Sequence, residues 1–190
     1  MRIFGIDPGS EASALASFDT EDTERIVDAC YLENKDLARK LPSFVNCFSE
    51  NLFGIEWVTS YGKTVQIGRT TISTVAWIGH FERILLSAGI HPARILRIPR
   101  KSILLYFGGR VTLSEKELRK FLILERGGPA AAVGEKREPG PLWACRGEGG
   151  HKWSALAVAR TAEAFVGHAP TSAGFQIKAL RGIFNLSEVV

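Results

Sequence analysis

The sequence predicts an α/β protein built on a mixed five-stranded sheet, with helices on both faces. Three features lead to this fold. Apolar, β-rich runs open the chain, amphipathic segments separate the later runs, and 190 residues suffice for a domain with a sizeable core. Three strands in succession, followed by alternating helices and strands, are typical of an antiparallel meander that continues into β-α-β crossovers.

Hydrophobic spacing and the residues that bound each run assign the individual elements. We expect strands at residues 2–6, 14–18, 25–32, 53–58 and 94–98, and helices at residues 35–41, 70–88, 100–107, 114–125 and 151–165. Pro42 is expected to interrupt or end the first helix. The second helix is expected to place its apolar residues near one side, namely Ile72, Val75, Ala76, Ile78, Gly79, Leu85 and Leu86.

The later part of the chain sets the expected domain organisation. Residues 1–167 are expected to form one domain, and residues 168–190 a C-terminal tail with a short helix near residues 176–184. Within the domain, residues 127–150 are rich in Gly and Pro and carry scattered charges. We therefore expect one long exposed loop there, and loops of that length are usually functional or mobile.

The composition is that of a soluble globular protein, with 45% hydrophobic and 23% charged residues. A net charge of +4 permits a polyanionic partner without requiring one. The three cysteines lack metal-ligand spacing and suit reduced thiols. Asp7 interrupts the first apolar run too early for a signal peptide, and no run is long enough to span a membrane. We expect a cytoplasmic protein.

Two carboxylates at predicted strand ends are the first candidate functional residues. Asp7 ends the first strand just before a Pro-Gly turn, and Glu56 lies in the fourth. If these two strands are parallel neighbours, the carboxylates emerge together at one sheet edge and repel each other unless a cation or a shared proton intervenes. Mg²⁺, which prefers oxygen ligands, is the natural partner. The alternatives are an Asp7 that only opens a turn and a Glu56 that is a solvated edge residue.

Several short motifs, in order over about residues 1–165, extend this pattern. They are Gly5-Ile6-Asp7-Pro8-Gly9-Ser10, Ile55-Glu56, Ser60-Tyr61-Gly62, Gly68-Arg69, Trp77-Ile78-Gly79, Pro139-Gly140-Pro141-Leu142 and the helix start over 151–158. No single motif is specific, but with these motifs in this order the chain resembles RuvC-type Holliday junction resolvases. It is most similar to the subgroup found in phages and prophages.

The resemblance implies a ribonuclease H-like fold, a homodimer and a site with two Mg²⁺ or Mn²⁺ ions. It implies an endonuclease that hydrolyses phosphodiesters in Holliday or other branched DNA, during recombination or repair in a phage or bacterium. Asp7 would bridge both metals and Glu56 would hold one, with His151 and Ser154 as further ligands. Ser154 departs from the family pattern, because a neutral hydroxyl is a poor ligand where an acid is common, and Glu148 is the alternative.

Basic and aromatic residues near these positions are candidates for contacts with DNA. They are Tyr61, Lys63, Arg69, Arg100, Lys101 and Lys116. The alternatives are a Tyr61 that packs on its own loop and basic side chains that only solvate helix faces. The resemblance also places the helix over 70–88 at the dimer interface.

Two other classes of protein remain as alternatives. A non-catalytic junction-binding protein on the same fold is suggested by Ser154. An actin-like or sugar-kinase ATPase would need two such domains and a longer chain, so we expect no nucleotide cofactor.

Overall fold

A computed structural model describes residues 1–21, 26–45, 50–58, 68–147 and 150–167. Five strands form one sheet in the order β3-β2-β1-β4-β5. Their bounds are β1 Arg2–Asp7, β2 Ala12–Asp19, β3 Ile26–Glu33, β4 Leu52–Trp57 and β5 Ile95–Pro99. The first three strands pair antiparallel, and β4 and β5 continue the sheet in parallel on the other side of β1. The predicted mixed five-stranded sheet is confirmed.

Helices cover both faces of this sheet. Their bounds are α1 Asn34–Val45, α2 Arg69–Ser87, α3 Arg100–Gly108, α4 Glu115–Glu125, α5 Pro129–Ala132 and α6 His151–Phe165. Side chains alternate along each strand, so the sheet contributes to two separate apolar clusters. Phe4 and Ile6 pack with α1 and α2 on one face, whereas Ile3 packs with α3, α4 and α6 on the other.

Helix α6 lies unusually close to the centre of the sheet. A Cβ atom at Gly5 would stand 2.0 Å from the carbonyl oxygen of Ala155 and 2.4 Å from the backbone nitrogen of Ala159. At Gly54 in the neighbouring strand, a Cβ atom would stand 3.0 Å from the Cβ of Ala162. Glycine inside a strand often marks a site where another backbone approaches. These two glycines, facing an alanine-rich helix, allow α6 to pack directly on β1 and β4.

Two local predictions are wrong. Helix α1 continues through Pro42 to Val45, because Leu41 and Val45 on either side of the proline are buried against the sheet. The segment predicted as one exposed loop contains α5 and a 3₁₀ turn at Trp143–Cys145, and it buries Leu142 and Cys145. Tertiary packing outweighs the local preferences of proline and glycine at both places.

The prediction that the apolar residues of α2 lie near one side is also wrong. Ile78 and Leu85 are buried against the sheet together with Phe81. The opposite side forms an exposed stripe, called the α2 stripe below, which consists of Ile72, Val75, Ala76, Gly79, Arg83 and Leu86. Three of its members are large apolar side chains with 40–59% of their surface exposed. The helix therefore has two apolar sides, and only one contacts this chain's own sheet.

Among the helices of the described ranges, none combines the length and the apolar character that crossing a bilayer requires. The predicted short helix near residues 176–184 lies outside these ranges. The division into a domain over residues 1–167 and a tail over 168–190 stays a prediction.

Candidate active site

A buried hydrogen-bond network holds the turn that follows Asp7. The backbone N–H of Gly9 donates to the hydroxyl of Ser13 (3.1 Å), which donates in turn to the side-chain oxygen of Asn34. The Asn34 amide nitrogen closes the ring by donating to the Gly9 carbonyl (3.0 Å). Ser13 and Asn34 are fully or almost fully buried. Satisfied buried networks are rigid, and this one holds the backbone of Gly9, two residues beyond Asp7.

The parallel pairing of β1 with β4 brings the two predicted acids together. Ile6 lies opposite Ile55 in the register, so Asp7 and Glu56 follow at the same level of two adjacent strands. Both are two residues beyond a glycine that faces α6, and alternation therefore directs both side chains to the α6 face. Their side chains keep 17% and 16% of their surface exposed. The expectation that Asp7 and Glu56 share one sheet edge is confirmed.

His151 meets this edge from the first turn of α6. Its Nδ1 lies 3.3 Å from the Oδ2 of Asp7. Its ring also stacks on Tyr31 of β3, with the ring centroids 4.8 Å apart and the planes 6° from parallel. The hydrogen bond to Asp7, foremost, raises the pKa of His151, and partial burial opposes the shift. The imidazole is thus held on two sides, by a carboxylate and by an aromatic ring.

The Tyr31 stack is expected to contribute measurably to the position of His151. In a double-mutant cycle with Tyr31→Leu and His151→Ala, the coupling in the free energy of unfolding should be about 0.5–1.5 kcal/mol, the range for aromatic pairs. Tyr31→Phe, which keeps the ring, should retain most of that coupling. Urea unfolding of the variants measures it, and a coupling near zero would show that the two rings merely adjoin.

Negative charge accumulates around Glu56. Burial, foremost, and the charge of Asp7 raise the pKa of Glu56 to about 7, although Arg100 opposes the shift. The charge of Glu115, the first residue of α4, also raises the pKa of Glu56 and that of His151. Its carboxylate lies 3.8 Å from the position that a Cβ atom would take at Gly150. A site that raises carboxyl and imidazole pKa values together attracts positive charge.

Arg100 is the positive group that faces Glu56. It is the first residue of α3, directly after β5, and its Nη1 lies 3.2 Å from the Oε2 of Glu56. Both side chains are largely buried, with 23% and 16% of their surface exposed. Arg100, predicted as a contact for DNA, therefore pairs with a predicted metal ligand.

The side chains of Asp7, Glu56 and His151 are of the types that bind a divalent cation. Two adjacent carboxylates and an imidazole offer the ligands that Mg²⁺ and Mn²⁺ accept. Burial, foremost, and the charge of Asp7 raise the pKa of Glu56, and Arg100 offsets only part of this rise. The set is not assembled around a common point. In the described part of the chain, no three His, Cys, Asp or Glu side chains are placed to hold one ion together. Glu56 is paired with Arg100, and Asp7 with His151.

Comparison with known proteins gives one clear result. No protein-family profile matches the chain. No curated protein matches its sequence. Among solved structures, RuvC of Thermus thermophilus matches with a TM-score of 0.61 at 14% identity, over 89% of this chain and 98% of that one. RuvC of T. thermophilus in complex with its Holliday junction substrate matches with a TM-score of 0.59 at 16% identity, over the same shares.

This chain has the RuvC fold. The predicted ribonuclease H-like architecture and the resemblance to RuvC are confirmed at the level of the fold. An identity of 14–16% shows no more than that, and the phage-like subgroup stays a prediction.

The remaining predicted site residues lie at several places on the RuvC-like fold. Ser154 is buried one turn beyond His151, beside an open groove between the starts of α4 and α6. Lys116 lines the same groove. Arg69 and Lys101 are exposed at the starts of α2 and α3, away from that lining. Tyr61, Lys63 and Glu148 lie outside the described residues.

Sequence reasoning assigned no role to three residues that shape this site. Gly5 had a detectable signal, because a glycine in the middle of an apolar strand indicates a close approach. Tyr31 and Glu115 had none, since each reaches the site only through the packing of distant elements.

Proposed function

We propose that this protein is a metal-dependent, structure-selective DNA endonuclease that hydrolyses phosphodiesters in Holliday or other branched junctions. The observation that carries the proposal is the meeting of Asp7 and Glu56 at adjacent strand ends, with His151 opposite Asp7. The RuvC fold supports the choice of substrate, since one of the matching RuvC structures is a complex with a Holliday junction.

Each residue of the site has a role in this proposal. Asp7 and Glu56 would hold one or two Mg²⁺ or Mn²⁺ ions, and His151 would contribute a further ligand. A divalent cation supplies Lewis acidity toward a phosphodiester and toward water. When Nδ1 of His151 donates its hydrogen to Asp7, Nε2 keeps a lone pair that can bind a cation or accept a proton. Tyr31 would hold the ring in that orientation.

The groove between α4 and α6 is the proposed path of the DNA backbone near the site. Lys116 and Arg119 line it, and the guanidinium of Arg119 lies 4.9 Å from the ring centre of Trp153. An ion pair between Arg160 of α6 and Glu125 of α4 (2.7 Å), outside the lining of this groove, also joins the two helices. Phosphate contacts by such cations would give an affinity that falls with salt.

Cleavage of a synthetic four-way junction in the presence of Mg²⁺ or Mn²⁺ tests the function directly. We expect paired, symmetric nicks. The second candidate function is that of a non-catalytic junction-binding protein, which is favoured by Ser154 in place of an acid and by the pairing of Glu56 with Arg100. Junction binding without nicks under either metal would support that candidate.

We also propose a homodimer formed through the α2 stripe. Contiguous exposed apolar surface commonly marks an interface, and two coordinated cuts suit a two-fold symmetric assembly. Helix α2 also contacts the turn after Asp7, because the hydroxyl of Ser73 donates to the carbonyl of Ser10 (2.9 Å). A dimer through α2 would thus place its interface next to the structure that presents Asp7.

Charged substitutions in the α2 stripe are expected to dissociate this dimer. Ile72→Glu and Leu86→Glu would place like charges across a two-fold axis, and light scattering during size exclusion should shift from dimer to monomer. Leu124→Glu is the matched control, because Leu124 is equally apolar and 57% exposed but lies on α4. A wild-type protein that stays monomeric at high concentration would disprove the dimer.

A further inference from the structure

Arg100 and Glu56 are brought together by the parallel pairing of β5 with β4. Trp57 lies opposite Pro99 in the register, so Arg100 follows the strand end beside the one that carries Glu56. The guanidinium approaches the carboxylate to 3.2 Å inside a partly buried pocket. This pair therefore lies within the site, whereas the Arg97–Glu82 pair lies on the α2 face of the sheet and has an arginine that is 58% exposed.

The pair is in conflict with a shared cation. An ion held by Asp7 and Glu56 together would need the carboxylate of Glu56 that Arg100 now contacts, and it would stand within a few ångströms of a guanidinium. Two positive groups that close repel each other strongly where water is scarce. In the described residues, no three metal ligands are assembled around one point.

Whenever Glu56 is ionised, it nevertheless needs a positive partner. A carboxylate with little access to water is costly to leave uncompensated, so removing one member of such a pair is unfavourable unless another cation replaces it. Arg100 faces the same constraint once it leaves Glu56. A guanidinium binds phosphate with the same planar fork that it offers to a carboxylate, and DNA supplies phosphate.

We propose that Arg100 is an exchangeable counter-ion of Glu56. It neutralises the carboxylate while no metal ion is bound, and it transfers to a phosphate of the DNA backbone when a divalent cation takes Glu56. The exchange rests on the proposed nuclease function. It makes cation binding and DNA binding reciprocal, because each partner relieves the conflict that the other creates.

The exchange predicts opposite effects of one substitution on two binding reactions. In Arg100→Gln the competitor for Glu56 is gone, so Mg²⁺ should bind about fivefold more tightly or better in the absence of DNA. Isothermal calorimetry on the full chain near pH 9, where an ordinary or moderately raised carboxyl pKa leaves Glu56 ionised, measures this. Arg97→Gln, which removes an exposed arginine nearby, is the matched control and should leave Mg²⁺ affinity unchanged.

The second measurement is the effect of a cation on junction affinity. Wild-type protein and Arg97→Gln should bind a four-way junction more tightly with Ca²⁺ than with EDTA, as followed by fluorescence anisotropy. In Arg100→Gln the ratio of the junction affinity with Ca²⁺ to the affinity with EDTA should fall toward one, because no side chain moves from carboxylate to phosphate. Arg100→Lys keeps the charge without the fork. Arg100→Lys should lie between wild type and Arg100→Gln in both measurements. It replaces Arg100→Gln as the test variant if the glutamine variant folds poorly.

The outcomes separate the exchange from the nuclease proposal. Unchanged or weaker Mg²⁺ binding by Arg100→Gln, with normal binding by wild type, would overturn the exchange alone. The same holds for an undiminished Ca²⁺ effect on junction affinity in that variant. Absence of Mg²⁺ binding by wild type and by Arg100→Gln would overturn both proposals.

Discussion

Replacing Asp7 with asparagine is expected to lower the rate of junction cleavage by about 10²–10³-fold or more, the range for loss of one group that stabilises a transition state. Asparagine keeps the shape of the side chain but removes the charge that would hold a cation and orient His151 across 3.3 Å. Binding of the junction should be equal or tighter, because one negative charge that repels phosphate is gone. Single-turnover cleavage and fluorescence anisotropy measure the two effects separately.

The matched control for this prediction is Asp36→Asn. Asp36 is a carboxylate on the outer side of α1, half exposed and paired with Arg39 at 2.9 Å. Such exposed pairs contribute little to stability, so cleavage should stay within about twofold of wild type. Wild-type cleavage by Asp7→Asn would exclude Asp7 from the reaction and with it the nuclease mechanism proposed here.

A methyl group at Gly5 is expected to have the largest effect on stability. In Gly5→Ala the new Cβ would overlap the backbone of α6, 2.0 Å from the Ala155 carbonyl oxygen. Backbone cannot rotate away as a side chain can, so α6 must shift from the sheet. We expect a loss of about 3 kcal/mol or more in the free energy of unfolding, at the upper end for overpacking. Because His151 begins α6, activity should fall as well.

Two further glycine-to-alanine changes form a graded series with Gly5→Ala. At Gly54 the new Cβ would meet side-chain atoms at 3.0 Å, so Gly54→Ala should cost about 1–2 kcal/mol. At Gly79 it would meet nothing of this chain within 4 Å, so Gly79→Ala should leave the stability of the monomer equal or up to about 1 kcal/mol higher. Urea unfolding of all three variants tests the order. A Gly5→Ala protein as stable as Gly79→Ala would contradict the close packing of α6.

Local patterns in the sequence were sufficient for the sheet and for the two acids. Apolar runs bounded by turn residues marked the strands, and the succession of elements indicated which strands neighbour each other. The start of the helix predicted over residues 114–125 was also readable, because the capping box of Ser114 and Glu117 that forms there joins residues three positions apart. Asp7 and Glu56 could thus be assigned to one sheet edge.

The two sides of α2 were not separable by the same reasoning. Apolar residues such as Ile72 and Ile78 occur all around the helix, and only the structure shows that the sheet covers Ile78 and leaves Ile72 outside. Periodicity reveals which residues share a side when polar residues occupy the other. Here both sides are apolar, so the pattern contains no such contrast.

By itself the sequence determined which strand ends carry carboxylates and which helix start carries an imidazole, since these depend on neighbours along the chain. Only the tertiary structure decided the partners of those groups. Glu56 meets Arg100 across 44 positions, and Asp7 meets His151 across 144. The contact with Arg100 depends on the pairing of β5 with β4, and the contact with His151 depends on the close packing of α6 that Gly5 and Gly54 allow.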